Sequence, residues 1–319
     1  MSPLASDIRS EAGEAARSAT SGPSRLARVV GWTGVTISAG FASLWSFWGS
    51  IENFHEGWYL GSLPKNLGLM VTQYLSVPAI IAGAALLAIR WPWLGALVHA
   101  VAAVVAWEFL RGSGPATKLL ISGPLLVVAI FYGLGRPRPR RAAAMAVLIL
   151  PLVTALAGGV GPALRVAHRL DDGNTGARVV EGNGVSLMWA PAGPGWPRQG
   201  IRWSEAVERC RHLTPNGLAL ADTSVDAWRL PTVEEAVHSM SLHGRNAGGT
   251  WDPRSARAAY RFVPDKESPL WDVRSPIIYW WTGTPAPAGR AYVIVYDGTV
   301  RSKDQRLRMG DLGFRAVHR

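Results

Sequence analysis

Glu52, His55 and Glu56 fall within one short stretch, Glu-Asn-Phe-His-Glu-Gly-Trp-Tyr, whose side chains could hold a metal ion or carry a proton. On a helix, residues three and four apart are neighbours, so the three ionisable groups share a face. Glu-x-x-His is half of what a carboxylate-bridged di-metal bundle uses, and such a site repeats the motif and adds two more glutamates. The membrane half has no second copy; His99 and Glu108 are the other candidates nearby. The competing reading is a polar helix end facing water and lipid headgroups, against which stands the cost of ionisable groups at membrane depth, where they tend to be functional. The only cysteine is Cys210, so no intrachain disulfide and no small thiolate metal cluster can form. Cys210 shares a helical face with Ala206 and Leu213, which predicts a small buried hydrophobe rather than a nucleophile.

The elements that must carry these residues divide the chain in two. Four arginines in RPRPRR, 136–141, precede a long apolar run that carries no charge until Arg165. A bilayer core needs about 20 such residues in a helix. Further apolar runs lie upstream, giving five predicted spans at 29–51, 67–89, 91–108, 119–135 and 142–164. The third and fourth are short, and a four-span alternative makes one of them re-entrant or interfacial. Trp48, Trp91, Trp93 and Trp107 lie near span ends, as an interfacial aromatic belt requires. Residues 1–24, rich in Ser, Ala, Gly and Glu, lack the apolar core of a cleavable signal and read as a disordered cytoplasmic tail. The resulting organisation is multi-domain: an all-α transmembrane helical bundle over 25–166, a linker over 167–182 and a soluble α+β domain over 183–319.

Charge gives an expected orientation. Of the 33 Lys/Arg and 22 Asp/Glu, 12 and 6 precede Arg165, leaving 21 and 16 after it. With the N-terminus inside, cytoplasmic segments hold Arg9, Arg17, Arg25, Arg28, Arg90, Arg136, Arg138, Arg140 and Arg141, whereas the external loops hold only Lys65, Arg111 and Lys118. That asymmetry follows the positive-inside rule, and five spans then place the C-terminal domain outside. It also accounts for the N-terminal share of the net charge of +11, so no nucleic-acid partner is predicted; the first partner is the lipid bilayer.

In the soluble half, GVSLMWA alternates like a strand. Ser204 is the candidate N-cap of a helix carrying Ala206, Cys210 and Leu213. Thr232 and Glu235 form a Thr-x-x-Glu capping box that starts a second helix running to about Leu242. Two Gly/Pro/Asp/Trp-dense loops follow. IIYWWTGT then reads as a strand, AYVIVY-DG-TVRS as a hairpin turning at Asp297-Gly298, and LGFRAV as a closing strand.

The succession VSLMWA, WSEAVERCRHL, DAWRLPTVEEA, IIYWWTGT, AYVIVYDGTV and LGFRAV resembles the bacterial Lcl-type C-terminal domain family, with a C-type-lectin-like fold, and more distantly the formylglycine-generating, sulfatase-modifying domains. It covers 183–319; the membrane half resembles no family. The resemblance implies two helices beside a twisted antiparallel sheet, with the N- and C-terminal strands close together. It makes Trp228, Arg229, Leu230, Pro231 and Glu235 a structural motif, with Trp189, Trp203, Cys210, Trp280 and Arg315. Family members are thought to bind surface polymers, glycans included, and an acidic polymer suits the soluble domain's positive surplus. Lectin calcium sites use oxygens on long loops, for which Asp265, Glu267, Asp272 and Asn246 are the candidates here. Trp251 and Trp271, on loops, are the candidate sugar-stacking aromatics, and one of Trp280 and Trp281 is expected in the core with the other on the opposite face. The enzyme branch uses cysteine chemistry for which one cysteine is too few.

The expected protein is therefore a bacterial cytoplasmic-membrane protein presenting an extracytoplasmic lectin-like domain that binds or senses a glycan, acidic polymer or envelope protein through the loops of 243–275. No cofactor is required; calcium, or a transition metal at Glu52, His55 and Glu56, are the alternatives. The competing functions are a membrane-embedded metal-dependent enzyme or transporter built on those three residues with His99 and Glu108, and a structural partner in an envelope complex.

Overall fold

The structure, a computed structural model, describes residues 24–268 and 270–318, so the tail predicted for 1–24 lies, Ser24 apart, outside the described residues. The chain forms two compact units: Met1–Ile51 with Val71–Val160, and Glu52–Met70 with Gly161–Arg319.

The helices are α1 (Arg25–His55), α2 (Leu63–Leu69), which runs into a π-turn (Met70–Tyr74), α3 (Ser76–Arg90), α4 (Pro92–Phe109), α5 (Pro115–Leu134) and α6 (Arg140–Ala167). α4, α5 and α6 are long and apolar enough to cross a membrane. A fourth such element exists if the segment Leu63–Tyr74 and α3, bent by 62°, count as one span. The break within the run predicted at 67–89 comes where Pro78, which lacks an N–H, sits in the first turn of α3, the place a helix tolerates it. α1 is the longest helix at 31 residues. Its Gly, Ser, Thr and Trp dilute its apolar character, so by length and composition the described residues give three or four spans where the sequence predicts five. Leu97, Val104, Leu120, Ile130, Leu152 and Leu156 all stand well exposed on their helices. An apolar surface that extensive suits hydrocarbon rather than water. Inside the unit, small residues let backbones approach: a Cβ on Gly95 of α4 would lie 2.1 Å from the Ala88 Cβ of α3.

The second unit is rich in strands. β1 (Arg178–Gly182), β2 (Val185–Trp189), β3 (Trp228–Arg229) and β12 (Val317–His318) form one sheet in the order β1-β2-β12-β3. β8 (Tyr279–Ala286), β9 (Arg290–Val295), β10 (Val300–Asp304) and β11 (Leu312–Gly313) form another in the order β10-β9-β8-β11. Two ribbons, β4 (Ser241–Leu242) with β5 (Arg245–Asn246) and β6 (Thr250–Asp252) with β7 (Arg257–Ala259), and two helices, α7 (Trp203–His212) and α8 (Val233–Ser239), accompany the sheets, and α2 belongs to the same unit. β12 pairs antiparallel with both β2 and β3, which sets the end of the chain beside the unit's first hairpin.

Several local expectations need correction. The linker predicted over 167–182 ends in a strand, because Asn183 and Gly184 have φ of 50° and 82° and make the two-residue turn that positive φ at both positions permits. All five residues of β1 then pair with β2. α7 starts at Trp203, with Arg202 rather than Ser204 at its cap, since Ala206 N–H already donates to the Arg202 carbonyl at 3.0 Å. α8 has both bonds of its Thr232/Glu235 capping box, but it stops at Ser239 because Ser241 and Leu242 pair with Asn246 and Arg245. Val295 N–H donates to the Thr299 carbonyl and closes a turn of three residues, 296–298, with Gly298 at φ 83°. LGFRAV is two strands in different sheets, split around the buried Arg315. The Arg315 Nε and Nη1 donate to the carbonyls of Ala190 and Leu270, and its guanidinium lies 3.7 Å over the Trp196 ring. Trp280 and Trp281 are both buried, so both faces of β8 are covered.

Candidate functional site

The loop residues expected to face a ligand are drawn into the strand-rich unit instead. Asp265 and Arg169 form an ion pair at 3.0 Å with side chains 4 % and 6 % exposed. Glu267 is buried; one oxygen accepts from Leu170 N at 3.1 Å and lies 3.0 Å from His243 Nδ1, and the other accepts from His243 N. Between them Lys266, also buried, donates from Nζ to the Ser275 carbonyl. Burial, and then the charge of Arg169, push its ammonium down to about 7. Asp272 accepts from Arg274 N and pairs with Arg198 at 2.7 Å. Asn246 donates to the His238 carbonyl and accepts from Gly248 N. Trp271 is buried edge-on against Trp280 at 4.8 Å, and the half-buried Trp251 packs edge-on against Tyr292. The six candidates thus do not converge on one solvent-facing site, because donors of the chain itself occupy most of their oxygens.

Glu52, His55 and Glu56 belong by their contacts to the same unit. His55 Nδ1 shares a hydrogen bond with the Tyr296 hydroxyl at 2.9 Å, the two rings 5.1 Å apart, and the Arg169 guanidinium stacks over the Tyr296 ring at 5.3 Å. Burial, and then the charges of Glu52 and Asp311, raise the Glu56 carboxyl above its ordinary value. Among the described residues no three His, Cys, Asp or Glu side chains group as metal ligands. His99 and Glu108, the other members of the membrane candidate, belong to the helical unit. His99 is buried with Nδ1 at 2.8 Å from the Gly95 carbonyl, and Glu108 pairs with Arg111 one helical turn away.

An open groove of about 370 Å³ lies between α7 and the Trp-Arg-Leu-Pro-Thr stretch. Trp203, Val207 and Arg211 of α7 form one wall; Asp226, Trp228, Arg229 and Thr232 form the other. The Trp203 indole donates to the Thr282 carbonyl at 2.8 Å and the Trp228 indole to the Thr214 carbonyl at 2.9 Å, which locks both rings. Arg229 makes a two-bond fork to Glu235, each bond 2.6 Å. Burial opposes ionisation of Glu235, but the bonds from Arg229 and from Thr232 N outweigh it and hold the carboxyl below its ordinary value. Arg211 is held loosely, 3.4 Å from Asp226 and 3.6 Å from Glu208, with its side chain 52 % exposed. The Cys210 thiol at the groove floor is buried and pushed up to about 12, so it offers no thiolate. Trp228 is buried, so Trp203 alone has a ring face open to the groove; that face and the half-exposed Arg211 guanidinium suit stacking on a flat or cyclic ligand and pairing with its negative charge. The sequence marks Trp203, Trp228 and Arg229 as structural; their second role as groove walls follows from α7 packing on β3, which no local pattern reveals.

Compared with known proteins, the chain matches no family model, no curated protein and no solved structure.

Proposed function

We propose that the chain is a bacterial cytoplasmic-membrane protein whose helices, N-terminus inside, hold a C-type-lectin-like binding domain on the outer side, and that this domain takes a sugar-based or acidic polymer in the Trp203–Arg211 groove. The observation that carries the ligand reading is the groove itself: the partly exposed Trp203 ring, locked by its indole bond, beside an arginine whose side chain is half in solvent. The fold reading is supported by the terminal strand β12 lying against β2, with two helices accompanying the sheets. The ligand surface moves from the loops of 243–275 to the groove because Trp271, Asp265 and Glu267 are buried.

Two measurements test this. Full-length protein in detergent is assayed for retention on an array of neutral polysaccharides and polyanions. Arg211→Ala should lower retention about tenfold, the loss of ~1.4 kcal/mol that one charge-assisted contact represents, and Val207→Glu should lower it by setting a carboxylate in the groove, while Trp251→Ala leaves it unchanged. No retention of the parent protein, or equal retention of the groove variants, overturns the binding reading. Orientation is tested with Thr299→Cys, an exposed turn position, in a Cys210→Ala background. Labelling of intact cells by a membrane-impermeant thiol reagent is expected, and protection until lysis would reverse the orientation.

A further inference from the structure

The helical unit contains a second groove, of about 580 Å³, lined by Arg25, Arg28, Val29, Trp32, Thr33 and Thr36 of α1 and by Arg138. Its geometry is built by close backbone approach. A Cβ on Gly31 would lie 2.4 Å from Pro137 N, so only glycine lets the 135–138 stretch press against α1. Two bonds hold it there: Arg136 N donates to the Ala27 carbonyl at 2.7 Å, and the Trp32 indole donates to the Arg138 carbonyl at 2.8 Å. The Arg138 backbone is thereby fixed beside the first turns of α1, whose exposed Arg25 and Arg28 complete the mouth.

The charge of this mouth is unbalanced. None of Arg25, Arg28, Arg90, Arg136, Arg138, Arg140 and Arg141 has a carboxylate ion pair among the described residues. Arg140 lies in the field of Arg138, Arg90 and Arg136, all of its own sign. Guanidinium groups gathered in this way call for an anion with several acceptor oxygens, and phosphate offers the matching forked geometry. The groove is also graded along its length. From Arg25 to Thr36 is three turns of helix, or ~16 Å at 1.5 Å per residue. Over that distance the lining changes from arginine to Val29, Trp32, Thr33 and Thr36. A free phosphate would use only the mouth, whereas a phospholipid descends in the same order, from phosphate through the ester region to acyl chain.

We propose that this groove is a binding site for an anionic phospholipid, with Arg25, Arg28 and Arg138 on the headgroup and Val29, Trp32 and Thr36 along the upper acyl chain. The proposal rests on the helices lying in a bilayer and is independent of what the strand-rich unit binds. Basic pockets between membrane helices are a known class of headgroup site, each arginine near the surface contributing about fivefold in affinity.

The test uses the full chain purified in detergent, with native mass spectrometry counting bound lipid during titration with dioleoyl phosphatidylglycerol, dioleoyl phosphatidylcholine or inorganic phosphate. The expected result is one saturable phosphatidylglycerol, little phosphatidylcholine, and an affinity lowered on the order of 100-fold by the triple change Arg25→Gln, Arg28→Gln, Arg138→Gln. A control triple on the strand-rich unit, Arg254→Gln, Arg257→Gln, Arg274→Gln, should bind as the parent does. If the groove triple fails to fold, Trp32→Phe, which removes only the bond to the Arg138 carbonyl, should weaken phosphatidylglycerol binding by itself. Equal binding of the two lipids, unchanged affinity in the groove variants, or inorganic phosphate competing as strongly as phosphatidylglycerol would each overturn the proposal, the last by making the site one for free anion.

Discussion

Replacing Lys266 by Met should stabilise the strand-rich unit in mild acid and weaken it in base. Lys266 is buried and its ammonium is pushed from 10.5 down to about 7. The folded state releases this proton first, so between about pH 7 and 10.5 the unfolded chain binds more protons and stability rises with pH. Below pH 7 the lysine is charged in both states and the full burial cost applies, about 5 kcal/mol at ~1.4 kcal/mol per pKa unit. Near pH 10 the folded lysine is neutral and only about 1 kcal/mol of that cost remains. Methionine removes the charge with little change of shape, but it leaves the Ser275 carbonyl without the Nζ donor, a loss of about 1–3 kcal/mol. The variant should therefore be more stable than the parent by ~2–4 kcal/mol at pH 6 and less stable by about 1 kcal/mol at pH 10. Cys210, the chain's single thiol and buried in this unit, is the reporter. Its labelling rate in detergent, divided by the rate in urea at the same pH, gives the opening free energy. A parent-to-variant difference with the same sign and size at both pH values would refute the reasoning.

Glu235→Ala removes the Arg229 fork and half of the capping box together, and should lower the opening free energy of the same unit by about 2–4 kcal/mol. Because the folded carboxyl lies below its ordinary 4.5, the advantage of the parent is complete above that value and should shrink as pH falls through the depressed one, read by the same thiol protection. In the helical unit, Gly95→Val must push α4 away from Ala88, whereas a Cβ on Gly83 meets nothing within 4 Å. Thermal unfolding in detergent should show a midpoint lowered by several degrees for Gly95→Val, in keeping with an overpacking cost of about 1–3 kcal/mol, and little change for Gly83→Val; equal effects would mean that α3 and α4 do not pack at these positions.

What was legible in the sequence is what short-range chemistry determines. The Thr232/Glu235 capping box needs only residues three apart, and both of its bonds are present. The apolar runs that become α4, α5 and α6 need only length and composition. The Asn183-Gly184 turn is equally local, yet the Asp, Gly and Asn around it read as linker and hide the strand that the turn ends. α1 shows the reverse: an uncharged run is legible, but whether its Ser, Gly and Trp face lipid or neighbouring helices is a matter of packing. LGFRAV reads as a single strand because nothing local says that Arg315 must turn inward to reach carbonyls 45 and 125 residues away.

The candidate site failed in the sequence for the same reason, and the failure defines what a site requires. A carboxylate or a tryptophan on a loop is available to a ligand only when the chain offers it no better partner. Asp265 meets Arg169, 96 residues away, and Glu267 meets the backbone of Leu170, 97 residues away. These pairs convert a supposed ligand surface into the clasp that draws the segment after α6 onto the unit. His55, 241 residues from Tyr296, is absorbed in the same way. Arg211 is the contrast: its neighbours lie at 3.4 and 3.6 Å, at or beyond the limit of a good hydrogen bond, and half of its side chain remains in solvent. Unspent hydrogen-bonding capacity next to the one partly exposed ring, Trp203, rather than a suggestive set of residue types, is what singles out the groove.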